Sequence, residues 1–152
     1  MIPDNRLPEI VEMSQSEIAG FLRGSNFGHL GCVQGKTPYV IPIHFAYDGP
    51  YIYFFTTEGK KTAIMDENPE VCLQSEHVTD NRNWQSVIVT GDAERLTDRS
   101  SIKKGIELVK AVNPTLTPAW SIQWMDAWVR VSQQAVYRIS SRLATGRRTV
   151  SR

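Results

Sequence analysis

The sequence predicts a mainly β protein with inserted helices, its antiparallel strands closing into a small barrel. Three observations lead there. Short runs rich in β-branched and aromatic residues recur along the chain, "FGHLGCV", "PYVIPIHFAY", "YIYFFTT", "EVCLQSE", "WQSVIVTGDAERLT" and "QAVYRISSRL", and turn-forming residues separate many of them. The first three runs are joined by connections too short to hold a crossover helix, which requires antiparallel pairing. Closing such short strands on themselves removes the exposed edges that an open sheet would carry.

Each element has its own local reason. Ser14 followed by Glu17 is a capping box, and Ile18, Phe21 and Leu22 then recur at helical spacing until Gly24 stops the run. Residues 27–57 read as three successive strands forming a β-meander, with "QGKT" and "DGP" as turns. Pro42 lies inside the middle strand, where it cannot donate to a ladder, so that strand should have an open edge. A short helix ending near "ENP" follows, then a fourth strand and a long fifth strand bent at Gly91. Asp98 or Ser100 can cap a further helix whose stripe is Ile102, Ile106 and Val109. Trp120, Trp124 and Trp128 recur every four residues, a ridge suited to core or dimer-interface packing. After a last strand, Arg142, Arg147, Arg148 and Arg152 read as a solvated basic tail.

A chain of 152 residues with 41% hydrophobic and 22% charged content fits one domain, residues 1–152, burying about 70% of its unfolded surface. The formal net charge of +1 gives no strong field toward nucleic acid or a membrane. No run of 18 apolar residues is present, and "MIPDNRLPEI" lacks the basic and apolar regions of a signal peptide. A cytoplasmic protein is expected. Cys32 and Cys72 form no CxxC and read as buried, reduced hydrophobes. No pair of histidines has metal-ligand spacing, and no carboxylate is spaced to complete a triad.

In "YIYFFTTEGKKTAIM", Lys60 and Lys61 fall in the first turn of a helix, where unpaired N–H groups and the positive end of the helix dipole disfavour cations. A bound phosphate reverses that penalty: the N–H groups point at its oxygens, Gly59 lets the backbone approach, Thr56, Thr57 and Thr62 offer hydroxyls, and the lysines supply counter-charge. Solvated surface lysines are the plainer reading of the same residues.

The ordered set "PYVIPIHFAYDG", "YIYFFTTEGKK", "NPEVCLQ" and "WQSVIVTGDAERLTD" resembles the pyridoxamine 5'-phosphate oxidase-related family over residues 10–98. Within it the chain resembles the small branch that includes nitroimidazole-resistance-type flavoproteins. The resemblance implies an FMN-binding antiparallel split β-barrel, with Gly59, Lys60 and Lys61 holding the FMN phosphate. It also implies a homodimer with FMN at the interface, the backbone of Pro42 and Ile43 along the ring, and Trp84 and Ser86 near it. Two departures stand out. The arginine-rich flavin motif of the vitamin-salvage oxidases is replaced by "VIPIHFAY", and their C-terminal Arg-x-His is missing from "VYRISSRLATGRR", so that reaction is not expected.

Alternation along the strand puts His44 on the face of Val40, Pro42 and Ala46. It is the one candidate catalytic residue, either a proton donor to a small acceptor or a structural histidine. Two functions stay open: a flavin-dependent oxidoreductase carrying electrons from a nicotinamide donor to a nitroaromatic or quinone, or a module that binds flavin, haem or a deazaflavin without turnover.

Overall fold

A computed structural model describes residues 6–113 and 134–150. Its elements in chain order are β1 (Glu9–Glu12), α1 (Gln15–Arg23), β2 (Phe27–Gln34), β3 (Thr37–His44), β4 (Ala46–Asp48), β5 (Tyr51–Thr57), α2 (Lys60–Glu67), β6 (Glu70–Asp80), β7 (Asn83–Arg95), α3 (Arg99–Val112) and β8 (Gln134–Val150). The strands make one antiparallel sheet in the order β3-β2-β6-β7-β8-β5-β4, and β1 adds to β8. The mainly β class and the antiparallel split barrel are as expected.

Closure follows from covalent geometry. β3 and β4 are the opposite edges of the sheet, yet Phe45 alone separates them in sequence. Two edges joined by one residue lie within a few ångströms of each other, so the sheet must curl into a barrel. The edges meet without a ladder: β3 approaches β5, but no strand pairing joins them. The prolines explain why. Gly35, at φ +60°, opens a two-residue hairpin closed by the pair Gln34 and Thr37, which directs the N–H groups of odd-numbered β3 residues toward β2. Pro38 and Pro42 therefore lack donors on the side facing the split.

Alternation divides the apolar residues into two layers. Ile52 and Phe54 join Leu30, Ile43, Leu73, Val89 and Ile139 in the barrel core, and α1 adds Ile18, Phe21 and Leu22. Tyr53 and Val136 face the other way, under Val109 of α3. The capping box at α1 is present, with Ser14 Oγ and Glu17 Oε1 each accepting a backbone N–H at 3.1 Å. Asp98 caps α3 by accepting from the Ser101 N–H at 2.9 Å.

Several expectations change. There is no meander over residues 27–57: "PYVIPIHFAY" is broken at Phe45 into β3 and β4, and β2 pairs with β6 instead of continuing toward β5. Alternation nevertheless survives the break: Ile43, Phe45 and Tyr47 turn toward the barrel core, while Ala46 lies on the opposite face under Val109 of α3, the helix whose cap residue Asn113 meets His44. β1 was too short and acidic to read as a strand. The basic tail is no solvated end, since β8 runs through it to Val150, paired with β5, β7 and β1. Cys72 is exposed, although Cys32 is buried as expected. Trp120, Trp124 and Trp128 lie outside the described residues. Among the described residues no helix is long and apolar enough to cross a membrane.

The expected bend at Gly91 is real: the register of β7 against β8 shifts between Thr90 and Gly91, and a Cβ on Gly91 would stand 2.0 Å from the Ser140 carbonyl oxygen. Gly91→Ala should therefore lower stability by about 1–3 kcal/mol through overpacking. Gly20→Ala is the control, since nothing lies within 4 Å of its added Cβ in α1; it should gain up to about 1 kcal/mol of helix propensity. Urea midpoints of the two variants should move in opposite directions.

Candidate functional site

The loop from β5 into α2 gathers Gly59, Lys60 and Lys61 at a helix start, as the sequence places them. Gly59 has no side chain with which to cap α2, so the N–H groups of Lys60 and Lys61 retain their bonding capacity. Gly59 has an extended φ of 172°, which any residue adopts; its use is spatial, because nothing lies within 4 Å of where a Cβ would stand. Lys60 is exposed, with Nζ 4.9 Å from the Tyr39 ring centroid, and Lys61 is half-buried. Neither forms an ion pair among the described residues.

The hydroxyls are less available than the residue types suggest. Thr62 is buried, its Oγ1 accepting the Gly59 N–H at 2.9 Å while its proton faces Glu58 Oε2 at 3.0 Å. It shapes the loop from inside. Thr56 and Thr57 are consecutive strand residues and project to opposite faces, so they cannot present both hydroxyls to one ligand.

Arg95, at the end of β7, holds this loop. Its guanidinium pairs with both oxygens of Glu58, just before Gly59, and with Asp66 in α2, Nη2 to Oδ2 at 2.7 Å and Nε to Oδ1 at 3.3 Å. Tyr137 donates its hydroxyl to Asp66 Oδ1 at 2.9 Å, and its ring lies under the guanidinium. The Arg95 hydrogen bonds hold the Glu58 and Asp66 carboxyls below their usual range, while burial, followed by the bond to Asp66, pushes the Tyr137 phenol up. Two carboxylates that flank the lysines in sequence, Glu58 and Asp66, are thereby satisfied by Arg95.

The outer face of the sheet carries the second group. Cross-strand register aligns Val40, Gly31, Cys72, Thr90 and Leu143 in one row across β3, β2, β6, β7 and β8, and Pro42, His29, Gln74, Ile88 and Thr145 in the next. Pro42 and His44 thus face outward, as alternation predicts. Ile43 turns its side chain into the core and leaves only its backbone at the split. His44 packs edge-on against Phe27, ring centroids 5.2 Å apart, and its Nδ1 lies 2.9 Å from Asn113 Oδ1.

Trp84 and Ser86 lie together on β7 and line a pocket of about 480 Å³ with Glu12, Met13, Ile88 and Arg147. The Trp84 N–H donates to Thr149 Oγ1 at 3.1 Å, and Ser86 Oγ accepts from Gln74 Nε2 at 3.2 Å. This pocket is apart from the lysine loop. Tyr39, beside Lys60, is level with Cys32, Val71 and Gly91, and Trp84 is seven residues from Gly91, roughly 23 Å along the strand. One chain does not bring the two groups together.

Sequence reasoning missed Arg95, Asn113 and Arg147. Arg95 stands in an ordinary charged stretch, no local spacing marks Asn113, and Arg147 reads as part of a tail although it lies in a strand that lines the pocket.

Comparison with known proteins gives a consistent answer. The profile described as "Pyridoxamine 5'-phosphate oxidase" matches residues 14–148. An uncharacterized Rhizobium meliloti protein is 37% identical over 84 residues, 55% of this chain and 56% of that relative, so the match spans little more than half the relative's length. Among solved structures, an FAD-binding protein from Mesorhizobium loti superposes with a TM-score of 0.78 at 26% identity, over 95% of this chain and 99% of that one. A Bacteroides thetaiotaomicron protein provisionally assigned to 5-nitroimidazole antibiotic resistance shares the fold at a TM-score of 0.72 and 17% identity, over 95% and 90% of the chains.

The Arg95 clamp has a pH signature. Glu58 and Asp66 have depressed folded-state pKa values, so their contribution is present above the unfolded carboxylate range, about pH 4, and is lost as pH falls through the folded values. Because these side chains are 38% and 47% exposed, the contribution should be only about 1 kcal/mol. Arg95→Gln should remove it and flatten the fall in stability below about pH 4. Urea melts of both proteins between neutral and acid pH check this.

Proposed function

The chain belongs to the pyridoxamine 5'-phosphate oxidase family, and we propose that it is an FMN-dependent oxidoreductase that carries electrons from a nicotinamide donor to a small acceptor such as a nitroaromatic or quinone. The observation that carries this reading is the β5–α2 loop: two lysines without ion pairs among the described residues, at a helix start whose N-cap glycine has no side chain, open space over Gly59, and neighbouring carboxylates held by Arg95. That donor set fits a phosphate monoester. The names of the FAD-binding relatives from Mesorhizobium loti and Mycobacterium smegmatis support a flavin. The single phosphate that this loop suits favours FMN.

In this reading Lys60, Lys61 and the first-turn N–H groups of α2 bind the phosphate. The free edge of β3 at Pro42 and Ile43 offers backbone groups to the polar rim of the ring, and the 480 Å³ pocket of Trp84 and Ser86 supplies an apolar wall and a hydroxyl. FMN, when bound, supplies hydride exchange. The chain's own residues orient it, exclude water and present His44 as a proton donor.

The same reading makes the protein a homodimer. Phosphate loop and tryptophan pocket are too far apart in one chain to share a ligand, but a second copy lying across the outer face could complete each site. Val40, Ile88 and Leu143 are exposed on that face, which supports burial against a partner. A cytoplasmic location fits the two free cysteines.

FMN titration tests the phosphate loop. Lys61→Ala, and to a lesser degree Lys60→Ala, should weaken FMN binding by about 1.5–3 kcal/mol, roughly ten- to a hundredfold, while riboflavin, which lacks the phosphate, should bind wild type and variants alike. Unchanged FMN affinity in the double variant would sink the site. A visible spectrum of the purified protein separates flavin from haem, and bleaching by a nicotinamide donor separates enzyme from storage module. Light scattering of the FMN-loaded protein should give twice the monomer mass; a loaded monomer contradicts the shared site.

A further inference from the structure

The hydrogen bond between His44 and Asn113 leaves its proton to be placed. Asn113 answers through its other contacts. Its side chain is buried at the C-terminal cap of α3, 4% exposed, and Nδ2 lies 2.9 Å from the Val109 carbonyl oxygen and 3.3 Å from that of Phe45. Carbonyls only accept, so both amide protons are committed; turning the amide over would set Oδ1 against two carbonyl oxygens. Oδ1 can then only accept, and His44 Nδ1, 2.9 Å away, must be the donor. The lone pair of the neutral ring is therefore on Nε2. Phe27 packs edge-on against the ring at 63°, and no described residue hydrogen-bonds Nε2.

We propose that Asn113 is the positioning residue of His44, fixing the Nδ1–H tautomer so that Nε2 is the atom that exchanges protons with the acceptor. This rests on the reading of His44 as facing the acceptor. The arrangement suits a proton donor because Nδ1 carries its hydrogen in both the neutral and the charged ring, so the bond to Asn113 survives every transfer and nothing reorganises. In a turnover with a quinone, the acceptor takes a hydride from the reduced flavin and a proton from Nε2 to become the hydroquinone. His44 is left neutral with its Nδ1–H in place and regains the Nε2 proton from water. The electrons come from the nicotinamide donor.

Imidazole ¹⁵N shifts of the FMN-loaded protein, with His44 assigned by comparison with His44→Gln, test the assignment directly. Wild type with the ring neutral should show a protonated Nδ1 and a bare Nε2. Asn113→Ala should move His44 toward the Nε2–H tautomer, and Asn113→Asp, which restores an acceptor oxygen, should return it to Nδ1–H. In stopped flow, Asn113→Ala should leave FMN affinity within about twofold and slow reoxidation by a quinone at least tenfold, part of the roughly 10²- to 10⁴-fold that a positioned proton donor contributes. An Nε2–H tautomer in wild type overturns the proposal even if the alanine variant fails to fold, as does a variant whose tautomer does not change. Reoxidation unaffected by His44→Ala would overturn the catalytic reading of His44 instead, and the shifts tell the two failures apart.

Discussion

The barrel depends on a contradiction between Phe45 and two prolines. Phe45 makes the opposite edges of the sheet neighbours in sequence, so they cannot separate; Pro38 and Pro42 strip donors from one of those edges, so they cannot zip together. A cylinder held closed by its chain but left open along one seam is the result. The seam keeps a strand edge with free carbonyls inside a folded protein, where an edge would normally invite association with another chain.

Charge is sorted around that frame with little surplus. Arg95 collects Glu58 and Asp66, while Arg142 collects Asp92 and Glu70 and Arg148 collects Glu17. A net charge near zero conceals this local order, because the cations without a carboxylate partner among the described residues include Lys60 and Lys61 in the loop and Arg147 at the pocket. Exposed pairs of this kind add little stability. Their effect is to fix which positive charges keep a carboxylate partner and which do not.

Much of this was legible in the sequence wherever one local rule governed the outcome. The capping box at Ser14 and Glu17, the bend at Gly91, the open edge at Pro42 and the outward face of His44 each follow from a single rule of turn, cap or alternation. What escaped was long-range. The break at Phe45 is invisible in an unbroken apolar run, because it reflects which edges the chain must reach and not any residue preference. β1 is four residues long and mostly exposed, and exists because β8 offers it an edge. The carboxylates that Arg95 holds and the histidine that Asn113 holds lie 29 to 69 positions away, beyond any spacing rule. The grouping of Trp84 and Ser86 with Lys60 rests on family resemblance alone, since no spacing of residues links them.

β8 carries one more consequence. It lies between β7 and β5 and also holds β1. Remove it, and the sheet falls into a four-stranded piece, β3-β2-β6-β7, and an isolated β4–β5 hairpin. Neither piece encloses the core. The contacts that finish the barrel therefore join residues far apart in sequence, from Arg95 with Tyr137 to the extreme of Glu9 with Val150. Topologies dominated by such distant pairings fold slowly, because loop entropy is lost before any contact rewards it. During that interval the apolar faces of β2, β6 and β7 stand uncovered, and the chain is most open to mispairing while its last strand has yet to dock.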